Sequence, residues 1–159
     1  MRFKFHTLRR VQWIERPIDE VFAFFADAHN LEEITPPWLG FRIQSISSPA
    51  VTQGTEIVYR LSLHGMPIRW VTEIRQWKSP YRFVDAQRSG PYRLWHHTHR
   101  FEAHGGRTKM LDVVRYRLPF GLLRRIVHAL KVRYDVQRIF DYRTRRIEEL
   151  FAVQTRVSV

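Results

Sequence analysis

The chain has 159 residues, of which 44% are hydrophobic, 14% aromatic and 26% charged, a balance that indicates one folded domain over residues 1–159 and excludes disordered, collagen-like and coiled-coil chains. It has no cysteine, which removes disulfides, thiolate metal sites, iron–sulfur clusters and cysteine nucleophiles together and makes a reducing, cytoplasmic setting the expectation. Lys and Arg total 27 against 15 acidic residues, a formal charge of +12, which favours acidic partners without naming one.

The opening MRFKFHTLRR lacks the apolar core of a secretory signal, and no run reaches the roughly 18 apolar residues of a membrane span. Phe3 to Ile14, rich in aromatic and β-branched residues, reads as a first strand. Pro17 with Asp19 and Glu20 then marks a helix start, and Val21, Phe22, Phe24 and Phe25 supply its apolar side. Asn30 and Glu33 have capping-box spacing for a second short helix that Pro36–Pro37 ends. From Phe41 onward, Gly and Pro punctuate runs with strand character at 41–46, 55–63, 68–77, 82–89, 93–103 and 108–118. Short connections make these an antiparallel meander, because parallel pairs need a crossover of about a dozen residues. After Gly121 no Gly or Pro occurs up to Phe151, and Leu122, Ile126, Leu130, Tyr134, Val136, Phe140, Ile147 and Leu150 recur mostly at helical steps. The predicted plan is α+β, in the order β-α-α-β-β-β-β-β-β-α, with the long terminal helix covering one face of a seven-stranded antiparallel sheet.

That plan, together with the strings ITPPWLGF (34–41), WVTEI (70–74), FVDAQ (83–87), GPYRLWHHTHRFE (90–102), DVVRYRLPFG (112–121) and FDYR (140–143), resembles the cyclase/dehydrase-like ligand-binding branch of the START-like (SRPBCC) helix-grip superfamily. The resemblance implies a sheet wrapped around the C-terminal helix with an internal cavity for an apolar or amphipathic small molecule. It implies that most members bind lipids, sterols, hormones or polyketides and that a minority catalyse cyclisation or dehydration. The chain has no G-x-G-x-x-G fingerprint, so no redox cofactor is expected.

Strand alternation predicts what faces inward. Placing Arg100 and Glu102 outward turns Trp95, His97, His99 and Phe101 in; the same reasoning turns in Phe83, Asp85 and Gln87, Trp70 and Thr72, Tyr59 and Leu61, and Asp112 and Tyr116. Leu130 and Tyr134 of the long helix join the candidate ligand-binding set. Ionisable groups on core-facing positions cost free energy unless paired or wet. Two arrangements accommodate them: a ligand- or water-filled pocket, or a closed Asp–His network. His97, His99, Asp85 and Asp112 are the candidate catalytic residues, since an imidazole held by a carboxylate can move protons near neutrality. The same H-x-H pair is a weak metal signal, and neither a metal nor another cofactor is expected. Trp38 and Phe120, in apolar loops rich in Pro and Gly, are candidate gate residues.

The predicted function is therefore binding of a hydrophobic small molecule, with cyclase/dehydratase-like acid–base chemistry as the alternative. A third reading uses the basic surface. Arg124, Arg125, Lys131, Arg133, Arg138, Arg143, Arg145 and Arg146 crowd the terminal helix, and they read first as a solvated face with local pairs such as Asp141 with Arg145. That face also suits an anionic membrane. Nucleic acid fits less well, because the aromatics fall on core-facing positions and do not form an exposed stacking platform.

Overall fold

The computed structural model describes residues 5–119 and 126–157. Strands β1 (His6–Ile14), β2 (Arg42–Ile46), β3 (Glu56–Leu63), β4 (Met66–Lys78), β5 (Arg82–Ser89), β6 (Leu94–His104) and β7 (Arg107–Arg117) form one antiparallel sheet. Its order is β1-β7-β6-β5-β4-β3-β2. Helices α1 (Ile18–Ala26) and α2 (Asn30–Ile34) and a 3-10 turn (Pro37–Leu39) connect the two edge strands, and α3 (Ile126–Val157) follows the last strand. The α+β plan expected from the sequence is the one observed.

Turn chemistry explains the hairpins. In the β6–β7 connection Gly105 and Gly106 have φ of +55° and +85°, the left-handed pair that a two-residue hairpin needs to match strand twist. The β3–β4 turn uses His64 and Gly65 with φ of +50° and +79°; its imidazole Nε2 lies 2.8 Å from Asp135 Oδ2 on α3. Register shifts between Ile43 and Ser45 in β2, and at Val71–Thr72 and Ile74–Gln76 in β4, bend their strands.

Three apolar clusters hold the inner face. Ile14, Phe22, Phe25, Phe101 and Met110 pack with Ile147 and Phe151 of α3. Leu8, Val114 and Tyr116 pack with Val136 and Phe140. Leu39, Phe41, Leu61 and Trp70 form the third, with Ile139 at its border. The inward parities expected for β3 to β7 agree with the burial of Ile57, Trp70, Phe83, His97, His99 and Val114.

Two local expectations fail. Asn30 does not cap α2: its amide Nδ2 donates to the Phe24 carbonyl at 2.8 Å, closing the end of α1, and the cap position belongs to His29. Asp141 pairs with Arg10 of β1 at 2.8 Å and not with Arg145, because a partner held on a strand beside the helix costs less ordering than a flexible one on the same face. The helix charges are in part cross-ties, as with Arg146, which meets Glu33 of α2 at 3.3 Å.

Ile147 is 1% exposed at the junction of α3, α1 and the sheet. Ile147→Ala should lower the unfolding free energy by about 2–5 kcal/mol, whereas Leu130→Ala, at a position 61% exposed, should change it by no more than about 0.5 kcal/mol. Urea denaturation of both variants checks the pair.

Candidate functional site: a lined cavity with a buried charge cluster

Between the three clusters lies a cavity of about 170 Å³, of the order that admits a benzene-sized guest in an apolar core. Its walls are mainly apolar. Tyr59, Leu61, Trp70, Phe83 and Trp95 come from the sheet, Phe25 and Ile34 from the short helices, and Ile139 and Phe140 from α3. The aromatic wall is fixed ring against ring: Tyr59 stacks on Trp70 at 5.8 Å, and Trp95 meets Trp70 edge-on at 5.4 Å. Thr72 Oγ1 accepts from Trp70 Nε1 and lies within 3.2 Å of the Tyr59 hydroxyl, and burial pushes that hydroxyl's pKa up.

One sector is ionisable. Asp85 of β5, His97 and His99 of β6 and Asp112 of β7 sit on neighbouring strands, because the register sets Asp85 opposite His97 and His99 opposite Asp112. His97 Nε2 donates to Asp112 Oδ1 at 3.0 Å, and His99 Nε2 to Asp85 Oδ2 at 2.7 Å. The two imidazoles face each other with centroids 3.7 Å apart. The remaining edges of the square are looser: His97 Nδ1 is 3.7 Å from Asp85, and His99 Nδ1 is 3.0 Å from Asp112 but out of line for a hydrogen bond. The imidazoles are locked against carboxylates, and His97, His99 and Asp85 still line the cavity.

The fifth member is Arg143, which the sequence reading assigns to the solvated helix face. Its side chain is 11% exposed, Nε lies 3.8 Å from Asp112 Oδ2, and it lines the cavity. A signal was available: Val136, Phe140, Ile147 and Phe151 are buried on one stripe of α3, and helical spacing requires an inward residue at 143 or 144.

These contacts set the protonation states. Burial disfavours the charged form of His99, but the carboxylates of Asp112 and Asp85 against its two ring nitrogens outweigh that and raise its pKa. Burial, reinforced by the neighbouring His99, lowers that of His97. Burial would raise both carboxylates; His97, His99 and Arg143 overcome it at Asp85, and Arg143 with the imidazoles holds Asp112 well below its ordinary value. With one imidazole charged, two carboxylates balance His99 and Arg143. The ligand atoms of Asp85, His97 and His99 lie within 4.8 Å of one another, a spacing that could hold a cation. In the arrangement present, the same atoms are spent on mutual contacts.

Not every predicted site residue reaches the cavity. Leu130 and Tyr134 are 61% and 63% exposed, since the stripe through Val136 and Phe140 turns them outward. Phe101 packs behind Phe83 with Phe22 and Phe25, and Tyr116 lies beneath Trp95 against His6. Gln87 spends its amide on the Tyr92 backbone, donating to O at 2.7 Å and accepting from N at 3.2 Å; it positions Tyr92, a lining residue the sequence reading missed. Asp112 sits behind the imidazoles. Trp38 does not line the cavity: it packs outside, edge-on to Tyr142 with the Arg138 guanidinium 4.4 Å over its ring, and its neighbour Leu39 turns in. Phe120 lies outside the described residues.

Two coupled imidazoles titrate as a pair. NMR of the ring protons should show one step above and one below the ordinary value of 6.5, and Asp112→Asn should move the upper step down. The stability that His99 contributes is complete below pH 6.5 and is lost as pH rises through the upper step. His97 acts oppositely, lowering stability as pH falls from 6.5 through the lower step.

No helix among the described residues is long and apolar enough to cross a membrane. No curated protein is significantly similar in sequence. Among solved structures, the Zhui aromatase/cyclase from Streptomyces sp. R1128 superposes with a TM-score of 0.76 at 14% identity, covering 98% of each chain. Ginseng major latex-like protein 151 from Panax ginseng gives 0.65 at 14% identity, covering 92% of this chain and 97% of that one. Ara h 8.0201 gives 0.65 at 16% identity, with 94% and 99% covered. These likenesses establish the START-like helix-grip fold. Residues 14–137 match the family described as polyketide cyclase / dehydrase and lipid transport, and the chain belongs to that family.

Proposed function

We propose that the chain binds a hydrophobic or amphipathic small molecule in this cavity, as a carrier or sensor. The observation that carries the reading is the concave space itself: apolar walls of Leu61, Trp70, Phe83, Trp95 and Ile139 around a few convergent polar groups, the usual construction of a small-molecule site. A filled core would have closed over those groups. At about 170 Å³ it suits a body of one or two rings or a short alkyl chain.

A second reading has specific support. His97 and His99 both face the cavity with their pKa values pushed in opposite directions, so His97, the weaker base, is placed to take a proton from an enolisable ligand when neutral and His99, the stronger base, to return one when charged. This is the proton inventory of a cyclase or dehydratase step.

Titration with 2-naphthalenemethanol, followed through the tryptophan fluorescence and indole N–H shifts, tests the cavity. Saturable binding is expected, with shifts concentrated at Trp70 and Trp95. Leu61→Trp, which places an indole in the space, should weaken it by about tenfold or more while the far-UV spectrum stays native. Unchanged affinity in that variant would refute the cavity as the site. For the second reading, His97→Ala and His99→Ala should abolish turnover of an enolisable polyketide-like substrate and leave affinity for the neutral alcohol within about threefold; loss of both together would make the cluster structural.

A further inference from the structure

Among the described cavity-lining residues, the cluster leaves two donor nitrogens of Arg143 unused, against one of His99. Nε and Nη2 of Arg143 are buried with no hydrogen-bond partner, and its carboxylate neighbour Asp112, at 3.8 Å, is beyond hydrogen-bond reach. The guanidinium rests instead near two apolar rings, Phe25 at 5.5 Å and Phe140 at 5.8 Å. A guanidinium has five N–H donors and no acceptor, and burying such donors unpaired is costly. Position 143 lies on the apolar stripe of α3, where a leucine would pack without that cost.

The missing partner has a definite chemistry. It must be an acceptor, it must come from the cavity, and a planar fork of donors is matched best by the two oxygens of a carboxylate. The anions already present do not supply it. Asp85 is engaged by His99 and faced by His97, and Asp112 by both imidazoles. Those four groups and Arg143 balance when one imidazole is charged, and His97, still neutral then, can take a proton to offset an entering anion. The walls beyond, at Trp70, Trp95 and Leu61, accept only an apolar body.

Resting on the cavity being a ligand site, we infer that Arg143 is a specificity-determining anchor and that the ligand is an organic acid: a carboxylate held at Arg143 with an apolar ring or chain lying along the aromatic wall. The charge reads the head group, and the wall reads the body.

Calorimetric titration of the full chain with sodium 2-naphthoate and with 2-naphthalenemethanol, which share a ring system and differ in the head group, tests this. The acid should bind at least about tenfold more tightly than the alcohol. Arg143→Met should erase that preference while keeping the alcohol's affinity, and Arg143→Lys should keep part of it. Equal affinities in the unaltered chain would overturn the assignment without help from any variant. A preference that survives Arg143→Met would also overturn it, tracing acid binding to the exposed basic surface. If neither compound binds, the cavity reading itself falls.

Discussion

Two carboxylates, two imidazoles and a guanidinium stand side by side between a sheet and a helix, and none of them could be there alone. An isolated charge in that space would cost several kcal/mol; each is tolerated because the next is within about 4 Å. The strand register puts Asp85, His97, His99 and Asp112 within reach of one another, and α3 adds Arg143 from across the cavity. The rest of the interior is arranged around this constraint, with apolar clusters at both ends and the cavity where they stop.

The sheet and the helix answer different needs. Seven antiparallel strands with an apolar inner face require a cover, and α3 supplies it through Val136, Phe140, Ile147 and Phe151. The contacts of α3 leave part of that inner face uncovered. The unfilled part is lined by rings that brace one another, Tyr59 on Trp70 and Trp70 against Trp95 and Tyr92, so the wall keeps its shape through its own contacts. Thr72 is satisfied within that wall, between Trp70 and Tyr59.

Much of this was legible in the residues. Turn glycines and the period-two alternation locate all seven strands, and parity turns His97, His99, Asp85 and Thr72 inward because a strand has only two faces. A helix has no such binary rule. Leu130 and Tyr134 are apolar yet exposed, while Arg143 is charged yet buried, because the stripe that α3 presents is set by the sheet it meets and not by hydropathy at each position. Parity also does not say how deep a side chain sits: Phe101, Tyr116 and Asp112 point inward but stop behind other groups, which requires knowing what packs in front. Gln87 shows a third limit, since its amide could face a ligand or a backbone, and only the path of residues 90–93 decides.

The fastening of α3 is uneven along its length. Ile147 and Phe151 are wedged among α1, the sheet and Leu31, while toward residue 130 the helix is held by Val136 against Leu8 and Val114 and by Asp135 against His64. The stretch from one region to the other is about 20–25 Å of helix, so a pivot of a few degrees at the wedged end would swing the opposite end by an ångström or two. The floor of the hollow is in effect a lever, with Arg143 close to the fulcrum and Val136 and Ile139 farther out along the arm. A tilt of this rod would therefore move Val136 and Ile139 more than Arg143, changing the apolar wall while the charged residues near the pivot hardly shift.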